Sequence, residues 1–258
     1  MGILNVTPDS FSDAGRFFSA KKAVQHAKQM IREGADIIDV GGESSGPGSK
    51  FVTVKEELRR VIPVIKKLAD EFKKKSLSRK KKILISVDTY KACVAQQAIK
   101  AGVRIVNDVT ALRGDKKMAE VIAKTGVKII LMYSKDSTAR TTRKKKHYKD
   151  VVASVMKFLK NRARFAIKQG IKRNQIIIDP GMGAFISAIP KYSFEILARL
   201  KEFKRLGFPI LIGTSRKSFL GGEIKSREIP TFITNLAAIQ NGANIIRVHN
   251  VALYKKIG

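Results

Sequence analysis

Three observations predict a single (β/α)8 barrel with a parallel eight-stranded core, spanning residues 1–258 as one domain. Eight short apolar, often β-branched runs recur along the chain. Segments with helical periodicity lie between them, giving a strand–helix alternation. Most of the runs stop at a polar residue, so polar groups at the same end of successive parallel strands would converge on one mouth. The length of 258 residues suits this architecture, which takes about 250.

The elements follow in chain order. The first strand, 2–6, carries Ile3 and Leu4 and stops at Asn5. Ser19 is read as the N-cap of a helix whose Ala20, Ala23, Val24, Ala27, Met30 and Ile31 share one stripe, with Gly34 as the stop. Strand 36–41 leads into the glycine-rich turn 41–48. The next helix, from about Val54 to Lys74, buries Leu58, Val61, Ile62, Ile65 and Leu68, and Pro63 is expected to kink or shorten it. Strand 83–87 stops at Asp88, a helix from about Lys91 ends before Gly102, and strand 103–107 ends on Asn107. A helix near 115–124 precedes strand 127–132. Segment 133–147, rich in Ser, Thr, Lys and Arg, reads as a mobile surface loop. Helix 150–169, strand 175–179, helix 192–205, strand 209–213, helix 229–241 and strand 244–248 follow, and a final helix of barely two turns begins near Val251. No Gly-x-Gly-x-x-Gly turn follows the first strand, which disfavours a dinucleotide-binding open sheet.

Composition narrows the function classes. No apolar run approaches the roughly 20 residues that span a membrane, and residues 1–8 lack the pattern of a secretory signal. One cysteine, Cys93, excludes an internal disulfide framework and reads as a packing residue in a cytoplasmic protein. The net charge of +31 could neutralise nucleic-acid phosphates. Its lysines recur throughout the chain, however, with no recognisable nucleic-acid module and no basic tail, so they are read as solvated helix faces. Such a field still draws small anionic substrates.

Barrel enzymes place their chemistry at the C-terminal ends of strands. Those positions hold Asn5, Gly41-Gly42-Glu43, Asp88, Asn107, Met132, Asp179, Lys217, Arg247 and His249. An Asp or Asn after a strand also caps the following helix. Capping needs neither Lys217 nor the Arg247-Val248-His249 step, in which alternation puts Arg and His on one face. Asp88, Asn107 and Asp179 suit a flat heterocycle with adjacent donors and acceptors. Lys217, Arg247 and His249 suit phosphate, and Asn5 can ligate a hard cation through its carbonyl oxygen. Gly213-Thr214-Ser215 can turn backbone N–H groups toward an anion, and the glycine-rich turns 41–48 and 181–183 let a ligand approach the backbone. His26 and His147 lie away from any zinc-like cluster. Gly213-Thr214-Ser215-Arg216-Lys217 lacks the second glycine of a serine-hydrolase elbow.

Several strings resemble the dihydropteroate synthase family. They are Gly2-Ile3-Leu4-Asn5-Val6-Thr7-Pro8-Asp9-Ser10-Phe11-Ser12-Asp13, Asp39-Val40-Gly41-Gly42-Glu43-Ser44, Ser86-Val87-Asp88-Thr89, Asn107-Asp108-Val109, Asp179-Pro180-Gly181, Ser215-Arg216-Lys217-Ser218 and Arg247-Val248-His249. They fall in the family's order over nearly the whole chain. The resemblance implies condensation of 6-hydroxymethyl-7,8-dihydropterin diphosphate with p-aminobenzoate in folate biosynthesis. By that likeness Asp88, Asn107, Asp179 and Lys217 hold the pterin, with Met132 and Gly213 lining its slot. Asn5, Arg247 and His249 hold the diphosphate and its Mg²⁺. Ser45, Pro47 and Ser218 lie near p-aminobenzoate, and Asp9, Phe11 and Asp13 sit on a first loop that closes, with 43–51, to exclude water. A homodimer through helices late in the chain is also implied.

The chain departs from the family pattern in three places. Glu43-Ser44-Ser45-Gly46-Pro47-Gly48 stands where the family reads Glu-Ser-Thr-Arg-Pro-Gly, so the lid arginine is gone. Ala184-Phe185-Ile186-Ser187 replaces an aromatic, Gly and Lys, and Asn250 stands where Asp is usual. Two rival readings remain distinguishable by chemistry. A methyltransferase moving a methyl group from a reduced folate to a corrinoid shares the pterin groups but needs no diphosphate cations. A nonenzymatic pterin or nucleic-acid binder needs no complete catalytic set.

Overall fold

The structure is a computed structural model that describes residues 1–6, 16–76 and 83–255, with backbone only at 16–19 and 73–76. Its strands are β1 (Gly2–Asn5), β2 (Ile37–Gly41), β3 (Leu84–Asp88), β4 (Ile105–Asp108), β5 (Lys128–Met132), β6 (Ile176–Asp179), β7 (Leu211–Ile212) and β8 (Ile245–Ile246). The helices are α1 (Arg16–Arg32), α2 (Val54–Ser76), α3 (Ala92–Lys100), α4 (Met118–Thr125), α5 (Val151–Lys168), α6 (Lys191–Ala198) and α7 (Glu228–Gln240). Strands β1 to β6 pair in sequence, all parallel, and β7 pairs parallel with β8. Parallel bridges Ile178–Ile210 and Gly2–Val248 join the two sheets on both sides. The second seam carries Ile3 N–H to the Val248 carbonyl at 2.9 Å, Val248 N–H to the Met1 carbonyl at 3.0 Å, and the Met1 ammonium to the Ile246 carbonyl at 2.9 Å. The ring of eight strands is therefore closed.

Side chains inside the ring come in layers, because inward-facing residues alternate along each strand. Met1, Ile37, Leu84, Ile105, Ile130, Ile177, Leu211 and Ile245 form one apolar cluster, with one residue from or beside every strand. This cluster fills the bottom of the barrel. Stepping two residues onward gives Ile3, Asp39, Ser86, Asn107, Met132, Asp179, Gly213 and Arg247. Two more give Asn5, Gly41, Asp88, Val109, Ser134, Gly181, Ser215 and His249 at the mouth. The main core lies outside, between the sheet and the helices.

Five expectations about the elements need correction. Helix α1 begins at Arg16, so Ser19 is inside its first turn and not its cap; nothing in Arg16-Phe17-Phe18 breaks a helix. Helix α2 runs unbroken for 23 residues through Pro63. Pro63 and Arg59, whose carbonyl loses its partner there, both face solvent, where water satisfies the freed group. Predicted helix 192–205 divides into α6 and a 3-10 turn over Leu200–Leu206, and only a 3-10 turn at Ala252–Tyr254 follows β8. Segment 133–147 is irregular but firmly held. The Lys135 ammonium inside it donates to Asp136, Thr141 and the carbonyls of Thr142 and Ala184, while Lys135 N–H bonds the Phe185 carbonyl at 2.8 Å.

Candidate active site

The polar layer directly above the apolar cluster is built around Arg247. Its Nε donates to Asp39 Oδ2 at 2.7 Å and its Nη2 to Asp88 Oδ2 at 2.7 Å. Asn107 Nδ2 donates to the same Asp39 oxygen at 3.3 Å. Asp39 Oδ1, Ser86 Oγ and Asn107 Oδ1 are buried without a hydrogen-bond partner among the described residues. Such atoms are costly unless something completes them, and a heterocycle with adjacent donors and acceptors is suited to do so. Across the ring, Asp179 stands opposite Met132 in register, and its Oδ1 accepts the Gly181 N–H at 2.7 Å.

Lys217 reaches this layer from the turn after β7. Arg216 before it adopts φ 58°, a left-handed conformation costly for a side chain with a Cβ. The kink is held by an Arg216–Glu228 ion pair at 2.7 Å and by Arg227, which donates to the Arg216 carbonyl at 2.9 Å. Lys217 Nζ then lies 5.2 Å from the centre of the Phe185 ring, a cation–π distance. A Cβ on Gly213 would come 3.7 Å from the Arg247 Cβ and 4.0 Å from Lys217 Nζ, so glycine keeps the slot between them open. Phe185, Met132, Val109 and Ala139 form a separate apolar cluster beside it, with Tyr90 packed on.

Burial sets the protonation of this site. It pushes Asp88 up to about 7 against the pull of Arg247, and raises Asp179 against the pull of Lys217. It also pushes Lys217 down to about 8, with Asp179 opposing. For His249, burial and the nearby Arg216, Arg247 and Lys217 lower the imidazole to about 3. His249 is thus neutral at pH 7. Its backbone N–H donates to Ser215 Oγ at 3.2 Å, and that hydroxyl lies 2.9 Å from Nδ1. A hydroxyl donating to Nδ1 leaves the ring proton on Nε2, as a neutral donor. Of the cations and donors that the sequence offers to phosphate, His249 thus belongs with the neutral ones.

The remaining expected residues are spread around the mouth. Asn5 is exposed at the end of β1, its Oδ1 3.6 Å from where a Cβ on Gly41 would sit, with Asp88 on the other side of that glycine. Ser45 is half-buried and its carbonyl accepts the Thr141 N–H at 3.1 Å. Pro47 and Ser218 are exposed. Asp9, Phe11 and Asp13 lie outside the described residues. Sequence reasoning missed the roles of Asp39 and Ser86 and the contact of the Ser215 hydroxyl with His249, as well as a charged group formed by Glu43, Glu57, Lys91 and Arg140. The first two carried a readable signal: each stands two residues beyond an apolar residue of its strand, Ile37 and Leu84, and so shares its inward face.

Residues 1–249 match the family of pterin binding enzymes. The dihydropteroate synthase of Bacillus subtilis is 41% identical over 255 residues, covering 97% of this chain and 83% of that protein. That of Clostridium beijerinckii is 42% identical over 256 residues, covering 97% and 88%. Among solved structures, Xanthomonas albilineans dihydropteroate synthase with 4-aminobenzoic acid superposes with a TM-score of 0.89 at 38% identity, over 100% of this chain and 89% of that one. The Clostridium difficile enzyme solved with pteroic acid gives 0.87 at 47% identity, over 98% and 90%.

Proposed function

Since the chain belongs to the pterin-binding enzyme family, as a dihydropteroate synthase of folate biosynthesis, we propose how its own residues divide that reaction. The substrates are 6-hydroxymethyl-7,8-dihydropterin diphosphate and p-aminobenzoate, and the products are 7,8-dihydropteroate and diphosphate. The observation that carries this reading is the incomplete polar layer of Asp39, Ser86, Asn107 and Asp179, set against Lys217 and Arg247.

Asn107, Asp179 and Lys217 hold the pterin edge, with Met132 and Gly213 lining its slot. Asp88 stands one layer higher, beside the methylene. As the C–O bond breaks, its electron pair leaves with diphosphate, and the positive charge left on the methylene spreads into the ring. Ionised Asp88 stabilises that charge. The arylamine nitrogen then forms the C–N bond and gives a proton to solvent. It is already neutral and nucleophilic near pH 7, so the site needs no strong base. On the leaving side, His249 offers its Nε2–H. Arg247 has Nε and Nη2 engaged by Asp39 and Asp88, so its Nη1 edge is the part that meets the anion. Ser45, Pro47 and Ser218 border the acceptor's approach.

No group of three or more His, Cys, Asp or Glu side chains suited to a metal occurs among the described residues. Mg²⁺ keeps several waters and binds through one or two protein oxygens plus substrate phosphate. One exposed amide, Asn5, fits that mode. When bound there, Mg²⁺ would neutralise charge on the leaving diphosphate.

Helix α7 exposes Ile229 at 72% and Ile233 at 59%. This supports the homodimer through late helices, which gel filtration would test. Among the described residues no helix is long and apolar enough to cross a membrane. The methyltransferase reading leaves the free edge of Arg247 and the neighbouring His249 without a diphosphate to meet. Purified protein with Mg²⁺ should release diphosphate only when an arylamine is present. Acceptor-independent hydrolysis, or no turnover, would overturn the reading.

A further inference from the structure

Above the polar layer, four charged side chains clasp three separate segments of chain. The Lys91 ammonium, at the start of α3, donates to Glu43 Oε2, to Glu57 Oε2 and to the Val52 carbonyl at 2.7 Å. Glu43 Oε1 accepts from Arg140 Nη1 at 2.5 Å. The side chains of Glu43, Glu57 and Lys91 are each less than a tenth exposed, and Arg140 is 31% exposed. Two buried carboxylates against one ammonium leave an uncompensated negative charge, which is costly in a low-dielectric site. Arg140 supplies the missing positive charge.

The clasp has two further holds. The Phe51 ring lies under both cations, 5.2 Å from Lys91 Nζ and 5.4 Å from the Arg140 guanidinium carbon. The next residue, Thr141, ties its N–H to the Ser45 carbonyl at 3.1 Å. The β2–α2 turn is thereby fixed at Glu43, Ser45 and Phe51 by the β5–α5 segment. Between Glu43 and Lys50 the turn carries no basic residue of its own. A small cleft under the clasp is shared by Ser45, Ala139 and Asp88, so the position of Arg140 bears directly on the space beside the reacting carboxylate.

We propose that Arg140 is a positioning residue for the arylamine acceptor: through Glu43 it holds the β2–α2 turn, and Ser45 with it, at the acceptor side of the mouth. Arg140 touches no group that holds the pterin. Its task is separate from the floor of the site, and rests on the synthase reading only for the identity of the acceptor.

The test compares wild type, Arg140→Ala and Arg140→Lys in two measurements. Steady-state kinetics should show KM for p-aminobenzoate rising about tenfold in Arg140→Ala, the scale of one charge-assisted hydrogen bond. KM for the pterin diphosphate should stay within about twofold, and Arg140→Lys should recover most of the loss because it restores the charge. Hydrogen exchange over 43–51 should quicken by about tenfold in Arg140→Ala while the strands stay protected. Equal changes in both KM values, an unchanged KM for p-aminobenzoate, or unaltered exchange over 43–51 would overturn the proposal. Failure of the wild type to make product would refute the synthase reading instead, and the exchange measurement would still decide whether Arg140 holds the turn.

Discussion

The two sides of the barrel present opposite charges and are held by different means. Asp39, Asp88, Asn107 and Asp179 stand on β2, β3, β4 and β6, within a continuous ladder of strands four or five residues long. Lys217, Arg247 and His249 follow β7 and β8, which are two residues each. That side is braced by side chains. Thr214 donates to Asn235 Oδ1 at 2.9 Å, Asn235 Nδ2 donates to Tyr254 Oη at 2.8 Å, and Asn244 Oδ1 accepts the Ile210 N–H at 2.9 Å. The acidic side is thus fixed by backbone pairing, and the basic side by individual polar contacts. Substitutions should affect the two sides differently.

The largest effect should come from Arg247, the one residue among those described that ion-pairs across the two sides. Arg247→Met leaves Asp39 and Asp88 facing each other without a counter-charge, which should cost roughly 3–5 kcal/mol of stability. Adding Asp39→Asn should return part of it, because the remaining carboxylate then has no like-charged neighbour. Denaturant melts of the single and double variants would show this. Additive losses would mean that Arg247 does not couple the two sides.

Lys217→Ala should lower kcat/KM by about 10²–10³ while circular dichroism and the melting transition stay close to wild type. The turn that carries it is held by Arg216, Arg227 and Glu228, none of which depends on the ammonium. An unchanged kcat/KM would remove Lys217 from the site.

The opposed charges should also be visible in pH dependence. Asp88 titrates near 7 when folded and near 3.8 otherwise, so between those values the folded state holds a proton the unfolded chain has lost. Its contribution therefore makes stability fall as pH rises from about 4 to about 7. Lys217 runs the other way. At about 8 folded and 10.5 unfolded, it makes stability rise between those values. Activity needs ionised Asp88 and protonated Lys217, so kcat/KM should be bell-shaped with limbs near 7 and 8. These limbs belong to the coupled site rather than to isolated residues. Asp88→Asn should abolish the acid limb, and Lys217→Arg should shift the alkaline limb upward. A profile flat from pH 6 to 9 would contradict both assignments.

Much of the floor was legible in the sequence because strand ends are local. Asp88, Asn107, Asp179 and Arg247 each terminate or follow an apolar run, and the structure gathers them as that pattern requires. Asp39 and Ser86 were missed because they stand inside their strands, where only counting by two from Ile37 and Leu84 exposes an inward polar residue. The rim was less legible for a different reason. The contact between Arg140 and Glu43 joins residues 97 apart, and no local periodicity encodes such a meeting. The composition of segment 133–147 suggests a loose loop; Lys135 and Thr141 are instead consumed by contacts with 184–185 and with one another.

The smallest effects should separate bracing from ligand binding. Asn235 is buried, accepts from Thr214 and donates to Tyr254. Asn235→Ala should therefore cost about 1–3 kcal/mol, because it takes away the acceptor of the buried Thr214 hydroxyl and the donor to Tyr254. Ser86 is equally buried on the opposite side, but its hydroxyl has no partner among the described residues. Ser86→Ala removes an unsatisfied group, so stability should hold or rise slightly while pterin binding weakens, as calorimetry with a pterin would record. If Ser86→Ala destabilised the barrel as much as Asn235→Ala, the distinction between the sides would collapse, since both hydroxyl and amide would then be structural. If only pterin affinity fell, the unpaired atoms of the polar layer would be assigned to the ligand and the paired ones to the fold.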